Sequence, residues 1–169
     1  MTTDLRPTAI LEHLAGAGVD FVVVGGIAMT AHGSDRNTFD LDICPRQSER
    51  NLDALGAVLI DLGARLRGVE EDVPLVPDGR TLARMQILTL DTTLGPLDVL
   101  ARPDGSPPYQ RLRRHAERVR IGSAEVLVAS VDDLLEMKRS AGRDKDLLDV
   151  ETLETIKRLR KRLSRRGRA

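Results

Sequence analysis

"VVVGGIAMTAHGSDRNTFDLDIC", residues 22–44, sets a short apolar run before two glycines and two aspartates, two positions apart, after them. The alternation of "TFDLDIC" reads as a strand, and residues two apart on a strand project to one face. Asp40 and Asp42 therefore point together, while Phe39, Leu41 and Ile43 are expected to face the core. Aspartate is disfavoured on a sheet, and two carboxylates a few ångströms apart stay ionised only when a cation lies between them. Mg²⁺ suits the position, because it takes hard oxygen ligands, keeps several waters and is completed by phosphate oxygens. The competing reading is a solvent-facing edge strand that carries two acids.

The glycines favour the first reading. Gly25 and Gly26 follow a buried strand, "DFVVVGG", and precede a brief helix, "IAMTAHG", closed by Gly33. Backbone N–H groups at such an elbow are open to an anion, and the missing side chains allow a phosphate to approach closely. The segment lacks the third glycine of a dinucleotide-binding fingerprint. A third carboxylate, Asp98, lies inside the apolar strand "GPLDVL". If the strands carrying the three acids are neighbours, the acids converge and can hold two metal ions for in-line phosphoryl chemistry. Asp98 would then be the general base, or would orient the attacking hydroxyl.

Around this centre the chain of 169 residues is long enough for one compact domain with a helical extension. Apolar residues make up 41% and charged residues 31%, an ordinary globular composition. With 2% aromatics and no Trp, a base-stacking platform for single-stranded nucleic acid is argued against. No apolar run is long enough to cross a bilayer, and the start "MTTDLRPTAILEHL" has no basic segment leading into an apolar stretch, so no secretory leader is read. Cys44 is the only cysteine, which leaves no internal disulfide, is read as a buried core residue and fits a reducing compartment. A cytoplasmic protein is expected.

The elements predicted outward from the centre are as follows. Asp4 caps a first helix with Pro7 in its opening turn and Ile10, Leu11 and Leu14 along one stripe. Residues 48–62 form a second long helix. "LARMQILTL" and "GPLDVLA" pair as strands through "DTTLG". "DGSPPYQRLRRHAERV" is a basic helix, and "RVRIG" and "AEVLVA" are strands around Gly122–Ser123. Ser130 and Asp133 open the helix "VDDLLEMKRSAG". A last helix starts near Asp144 with Leu147, Leu148, Val150, Leu153, Ile156 and Leu159 on its apolar side. Its end, residues 156–169, holds eight of the 26 basic residues and no acid, leaving a net charge of −8 on the rest. A basic end on an acidic body suggests a polyanionic partner or an acidic protein surface, and the alternative is a solvated, fraying terminus.

The stretch "VVGGIAMTAHGSDRNTFDLDI" resembles the signature of the DNA polymerase β-like nucleotidyltransferase superfamily. That signature is a hydrophobic residue, Gly-Gly or Gly-Ser, a spacer (here residues 27–39), Asp-x-Asp, and a third Asp on a later strand. Together with "VDDLLEMKRSAGRDKDLLDVETL", it is similar to the minimal bacterial branch that includes the AbiEii-like and MenT-like toxins. The resemblance covers residues 21–153. It implies an α/β (α+β) nucleotidyltransferase fold: a short mixed sheet, helices mainly on one face, and a C-terminal helical extension. The core would be residues 1–129, with residues 130–169 a helical segment packed on it.

It also implies roles. Asp40, Asp42 and Asp98 would bind Mg²⁺ or Mn²⁺, and Gly25 and Gly26 would hold the phosphates of a nucleoside triphosphate. Lys138 would lie against the triphosphate, supported by Arg143 and Asp146, while Arg36 and Thr38 would contact phosphate or acceptor. For Lys138, Arg143 and Arg36 an ordinary salt-bridged or loop position is the alternative. His32 is expected to cap or pack the short helix, and His13 and His115 have no metal-ligand spacing. The implied reaction moves a nucleotide monophosphate from a nucleoside triphosphate to an acceptor hydroxyl and releases pyrophosphate. An RNA acceptor such as the tRNA 3′ end, with an antitoxin partner, follows from the toxin resemblance and the basic segments at residues 111–120 and 157–168. Small antibiotic-modifying nucleotidyltransferases resemble the chain in the same motifs. A protein acceptor, or a non-catalytic binding module of the same fold, remains the other alternative.

Overall fold

The computed structural model describes residues 3–69, 73–101 and 105–167. Their order is α1 (Pro7–Gly16), β1 (Phe21–Val24), α2 (Gly25–Ala31), β2 (Leu41–Pro45), α3 (Glu49–Asp61), β3 (Arg65–Leu66) and α4 (Gly79–Arg84). There follow β4 (Ile87–Thr92), β5 (Gly95–Leu100), α5 (Tyr109–His115), β6 (Glu117–Ile121), β7 (Ala124–Val128), α6 (Val131–Ala141) and α7 (Asp144–Arg166). One mixed sheet runs β3-β4-β5-β2-β1-β7-β6.

The all-apolar β1 is buried at every position, as a central strand flanked on both edges and both faces must be. It runs antiparallel to β2 and parallel to β7. β2 in turn pairs in parallel with β5, in the register Leu41↔Leu97, Asp42↔Asp98, Ile43↔Val99. The α2 connection reverses the chain between β1 and β2. The β4–β5 hairpin, closed at Thr92↔Gly95, carries the third acid in beside them. Outside the sheet, α1 packs on β7 and α3 through Ile10, Leu11 and Leu14, α5 packs on β1, and α6 lies along α7.

Several predicted elements shift. Asp4 is not the cap of α1: Arg6 is, without a side-chain hydrogen bond, and its N–H donates to Leu94 O at 2.8 Å, tying the helix start to the β4–β5 turn. Pro7 does open the helix. β2 starts at Leu41 and includes Pro45, so the alternation of "TFDLDIC" does not reach back to Phe39. Phe39, expected in the core, is 79% exposed, because residues 39–40 form a bend ahead of the strand. In "LARMQILTL" the first three residues close α4, started by Asp78, whose side chain accepts from Thr81 N at 2.7 Å. The expected basic helix shrinks to α5, since Pro108 takes an extended backbone and the alternating "ERVRI" pairs with β7. The two-residue β3 has no counterpart in the prediction.

Ser130 caps α6 as predicted, accepting from Asp133 N at 3.1 Å. α7 starts at Asp144 and is helical to Arg166. Its predicted apolar side is wrong in part. Leu147, Leu148 and Leu159 are exposed, and the buried positions are Asp146, Asp149 and Leu153. No helix among the described residues is long and apolar enough to cross a membrane. Cys44 is a free, buried thiol whose pKa burial pushes up to about 12.

Packing of α3 against α4 depends on one glycine. A Cβ on Gly56 would run into the backbone carbonyl of Pro77, which cannot swing aside as a side chain can. Gly56→Ala is expected to lower stability in urea titration by about 2 kcal/mol, since overpacking outweighs the helix-propensity gain. Gly16→Ala, at the end of α1 with open space around it, is expected to be neutral or stabilising in the same measurement.

Candidate active site

The register of β2 on β5 sets Asp42 beside Asp98. Asp40, from the bend just before β2, joins them, and one carboxylate oxygen of each of the three lies within 4.8 Å of the others. All three are half-buried. This is the convergence the sequence reading required, achieved by two strands and a bend.

The glycine elbow is what makes room for it. Gly25 opens α2 at φ +64, a left-handed conformation natural for glycine. A Cβ there would collide with Asp42 Oδ2, and one on Gly26 would meet Thr38 Oγ1. The pair is thus dictated by two side chains seated against the start of α2. Thr38 Oγ1 donates to Asp40 O at 3.1 Å, fixing the bend that aims Asp40.

Electrostatics follow from crowding. Burial, and then the charges of Asp40 and Asp98, raise the Asp42 pKa to about 7, with Lys138 and Lys145 offsetting part of the effect. Asp98 is also raised, by burial first, against the pull of Arg67 and with Asp40 adding to it. Arg67 Nη2 lies 2.9 Å from Asp98 Oδ1, while the same guanidinium bonds Leu90 O and Asp91. Three crowded carboxylates, one of them driven toward its protonated form without a cation, are a donor set that fits Mg²⁺ or Mn²⁺.

A cleft of about 540 Å³ opens over the acids. Its lining includes Gly25, Asp42, Thr89 and Asp98 from the sheet side, and Met137, Lys138, Arg143 and Asp146 from α6 and α7. Gly25 and the two metal-directed acids therefore face Lys138 across one space.

No family model matches the sequence, and no curated protein matches it. Solved structures do. The lincosamide antibiotic adenylyltransferase LnuA, lincomycin-bound, matches with TM-score 0.63 at 15% identity, over 91% of this chain and 99% of that one. The antibiotic-resistance factor ANT(2'')-Ia matches at TM-score 0.57 and 14% identity over 95% and 92%. An antigenic nucleotidyltransferase-like protein from Paracoccidioides brasiliensis reaches 0.51 and 17% over 90% and 73%. The chain has a nucleotidyltransferase fold.

In this nucleotidyltransferase fold the predicted cationic residues are gathered by buried acids. Lys138 Nζ lies 3.3 Å from Asp146 Oδ1 and 2.8 Å from Asp149 Oδ2. Arg143 Nε donates to Asp146 Oδ2 at 2.7 Å, and Asp146 also accepts from the Arg143 backbone N–H. Burial works against the Asp146 carboxylate, but Arg143 and Lys138 outweigh it and bring the pKa down to about 2. Arg36, from the loop ahead of Asp40, forms an ion pair with Asp149 Oδ1. One buried carboxylate thereby joins the loop, α6 and α7.

Sequence reasoning passed over two of these residues. Asp149 was readable only as the position three beyond Asp146 on the same helical face, a weak signal beside a run of leucines. Arg67 carried no signal, because the β3–β4 corner brings it to Asp98. Away from the cleft, His32 ends α2 as predicted: its Nε2 is 2.7 Å from Ala129 O and its Nδ1 2.7 Å from Arg160 Nη2. His115 Nδ1 lies 3.0 Å from buried Asp133, and His13 bonds Ala9 O within its own helix.

Two outcomes are expected. Folded Asp42 keeps a proton that the unfolded chain releases from about pH 4 upward, so this group favours unfolding as pH rises toward 7. In EDTA, the melting temperature should fall between about pH 4 and about pH 7 and level off above. Asp42→Asn should flatten that fall, and Mg²⁺ should raise the melting temperature of the unsubstituted protein more than that of the variant. Asp149→Asn should cost about 3 kcal/mol in urea titration by leaving Lys138 and Arg36 short of their buried partner, whereas exposed Asp144→Asn should cost under about 1 kcal/mol.

Proposed function

We propose that the protein is an Mg²⁺- or Mn²⁺-dependent nucleotidyltransferase. It transfers a nucleotide monophosphate from a nucleoside triphosphate to an acceptor hydroxyl. The observation that carries this reading is the meeting of Asp40, Asp42 and Asp98 at a cleft whose other wall holds Lys138. Asp40, Asp42 and Asp98 would hold the divalent ions, which when bound supply charge neutralisation to the triphosphate. Gly25 and Gly26 offer backbone N–H groups to phosphate oxygens, and Lys138 lies against the triphosphate as a point charge. Arg36 and Arg143, each with one side on a buried acid, keep their remaining donors for phosphate, and Thr38 holds the bend beside them. The acceptor oxygen forms a bond to the α-phosphorus while the bond to the bridging oxygen breaks. Pyrophosphate leaves with that electron pair, and Asp98 takes the hydroxyl proton.

For the acceptor, the balance favours a small-molecule hydroxyl. The likeness to LnuA runs over nearly the whole of both chains, so the two have similar size and layout. Of the basic residues that suggested a polyanion, four are matched by acids. Arg111 pairs with Asp133 and Glu136, Arg118 with Glu125, Lys157 with Asp132, and Arg160 with Glu117. The second reading is transfer to RNA, such as the tRNA 3′ end, by the toxin of a toxin–antitoxin system, as the resemblance to the AbiEii-like and MenT-like branch implies. It is supported by the end of α7, where Lys161, Arg162, Arg165 and Arg166 are exposed and form no ion pair among the described residues. A protein partner with an acidic face fits the same surface.

The test is label transfer from each of the four nucleoside triphosphates with Mg²⁺, offered lincosamides and aminoglycosides in one series and total RNA in another. Labelled drug is the expected product, and labelled RNA alone would move the assignment to the second reading. Asp42→Asn should reduce transfer by roughly three orders of magnitude while the fold persists. Undiminished transfer by that variant, or none with any acceptor by folded, metal-loaded protein, would overturn the enzyme reading in favour of a binding module.

A further inference from the structure

Isolated apolar side chains on a surface need no explanation, but Phe39 is placed unlike the others. The chain has two phenylalanines, one tyrosine and no tryptophan. Phe21 and Tyr109 are buried, whereas Phe39 is 79% exposed, one peptide unit from Asp40. Folding gains nothing from a phenyl ring left in water.

The segment that carries this ring is tied down on both sides of it. Ser34 is buried, its N–H donates to Met29 O at 3.0 Å, and its Oγ accepts from the Arg36 N–H at 3.3 Å. Arg36 forms an ion pair with buried Asp149, Thr38 sits against Gly26, and Thr38 Oγ1 donates to Asp40 O at 3.1 Å. The loop is thus held to α2, to α7 and to the start of β2, so the exposure of Phe39 is built into it. Leu148, next to Asp149 in the chain, is exposed as well, so both segments joined by that ion pair carry an apolar side chain at the surface.

The chemistry of the neighbours says what such a ring can take. Arg36, Asp40 and the Gly25–Gly26 elbow suit phosphate and divalent ions, and a nucleotide seated there carries its base one ribose away from the α-phosphate. A phenyl ring offers a π-face to a flat heterocycle, which an aliphatic side chain does not. Stacking of this kind tolerates every base, because every base has a π-face. One ring serves one base, in keeping with a chain too poor in aromatics to line a single strand.

We propose that Phe39 stacks on the base of the nucleoside triphosphate, so that the base is held by the area of its ring and not by its hydrogen-bonding edge. This rests on the nucleotidyl-transfer reading and specifies its nucleotide: all four triphosphates bind, the purines better than the pyrimidines. The test is binding with Mg²⁺ and no acceptor, which needs no turnover. 2-Aminopurine riboside triphosphate, whose emission stacking quenches, is titrated with the protein, and the four ordinary triphosphates are competed against it. Saturable quenching is expected, with the four competitors within about tenfold of one another. Phe39→Ala should weaken binding about tenfold and remove most of the quenching, and Phe39→Tyr should keep both. Ile60→Ala, at another exposed apolar position on α3, should change neither. Melting temperatures of the Phe39 variants should match that of the unsubstituted protein, since the ring is exposed. Saturable binding indifferent to Phe39→Ala would overturn the proposal while leaving the enzyme reading standing. A preference of roughly a hundredfold for one triphosphate would overturn it too, since that requires the edge of the base to be read. No binding of any triphosphate by folded, Mg²⁺-loaded protein would overturn it together with the nucleotidyl-transfer reading.

Discussion

Three negative groups held close together within a protein repel one another, and the organisation of this chain is most simply understood from that repulsion. Asp42 and Asp98 face each other because β2 and β5 run parallel in register, and Asp40 is turned toward them by a bend that Thr38 holds. The cost shows in Asp42, pushed to about 7 by burial and its neighbours. A bound cation, or a proton on Asp42, would relieve it, and around it the fold gathers Arg67, Lys138 and Lys145 as partial relief.

The same logic runs outward to α6 and α7. Lysine and arginine side chains are long and mobile, and the proposed triphosphate contact would need them in fixed places. Asp146 and Asp149 supply that fixity. Both are buried, and between them they hold Lys138, Arg143 and Arg36, which come from three separate segments. A helix whose buried stripe includes two acids is hard to explain as ordinary core packing, because an unpaired buried carboxylate is costly. As a frame for cations at the edge of a phosphate site it is consistent.

The solved structures that share this architecture do so at identities of 14–15%. At that distance the shared feature is the frame, and acceptor choice rests on cavity walls particular to each chain. Here four cations of the basic segments are matched by acids, while the end of α7 stays exposed.

Much of the candidate site was legible in the sequence. An acid in an apolar strand stands out, and Asp40, Asp42 and Asp98 did so through local pattern alone, as did the Gly25–Gly26 elbow and the Ser130 cap of α6. Phe39 was misread because alternation marks a strand without marking where it begins, and the bend at residues 39–40 ends the pattern one step early. The exposed leucines of α7 were misread for a related reason: helical spacing defines a face, but only the neighbouring α6 and the Arg36 loop decide which face is covered. Arg67 beside Asp98, and Asp149 beneath Lys138 and Arg36, are contacts between residues on separate elements. Short-range periodicity thus determined which residues were chemically unusual. Strand register and helix packing, set by the burial of the whole core, decided which of them meet.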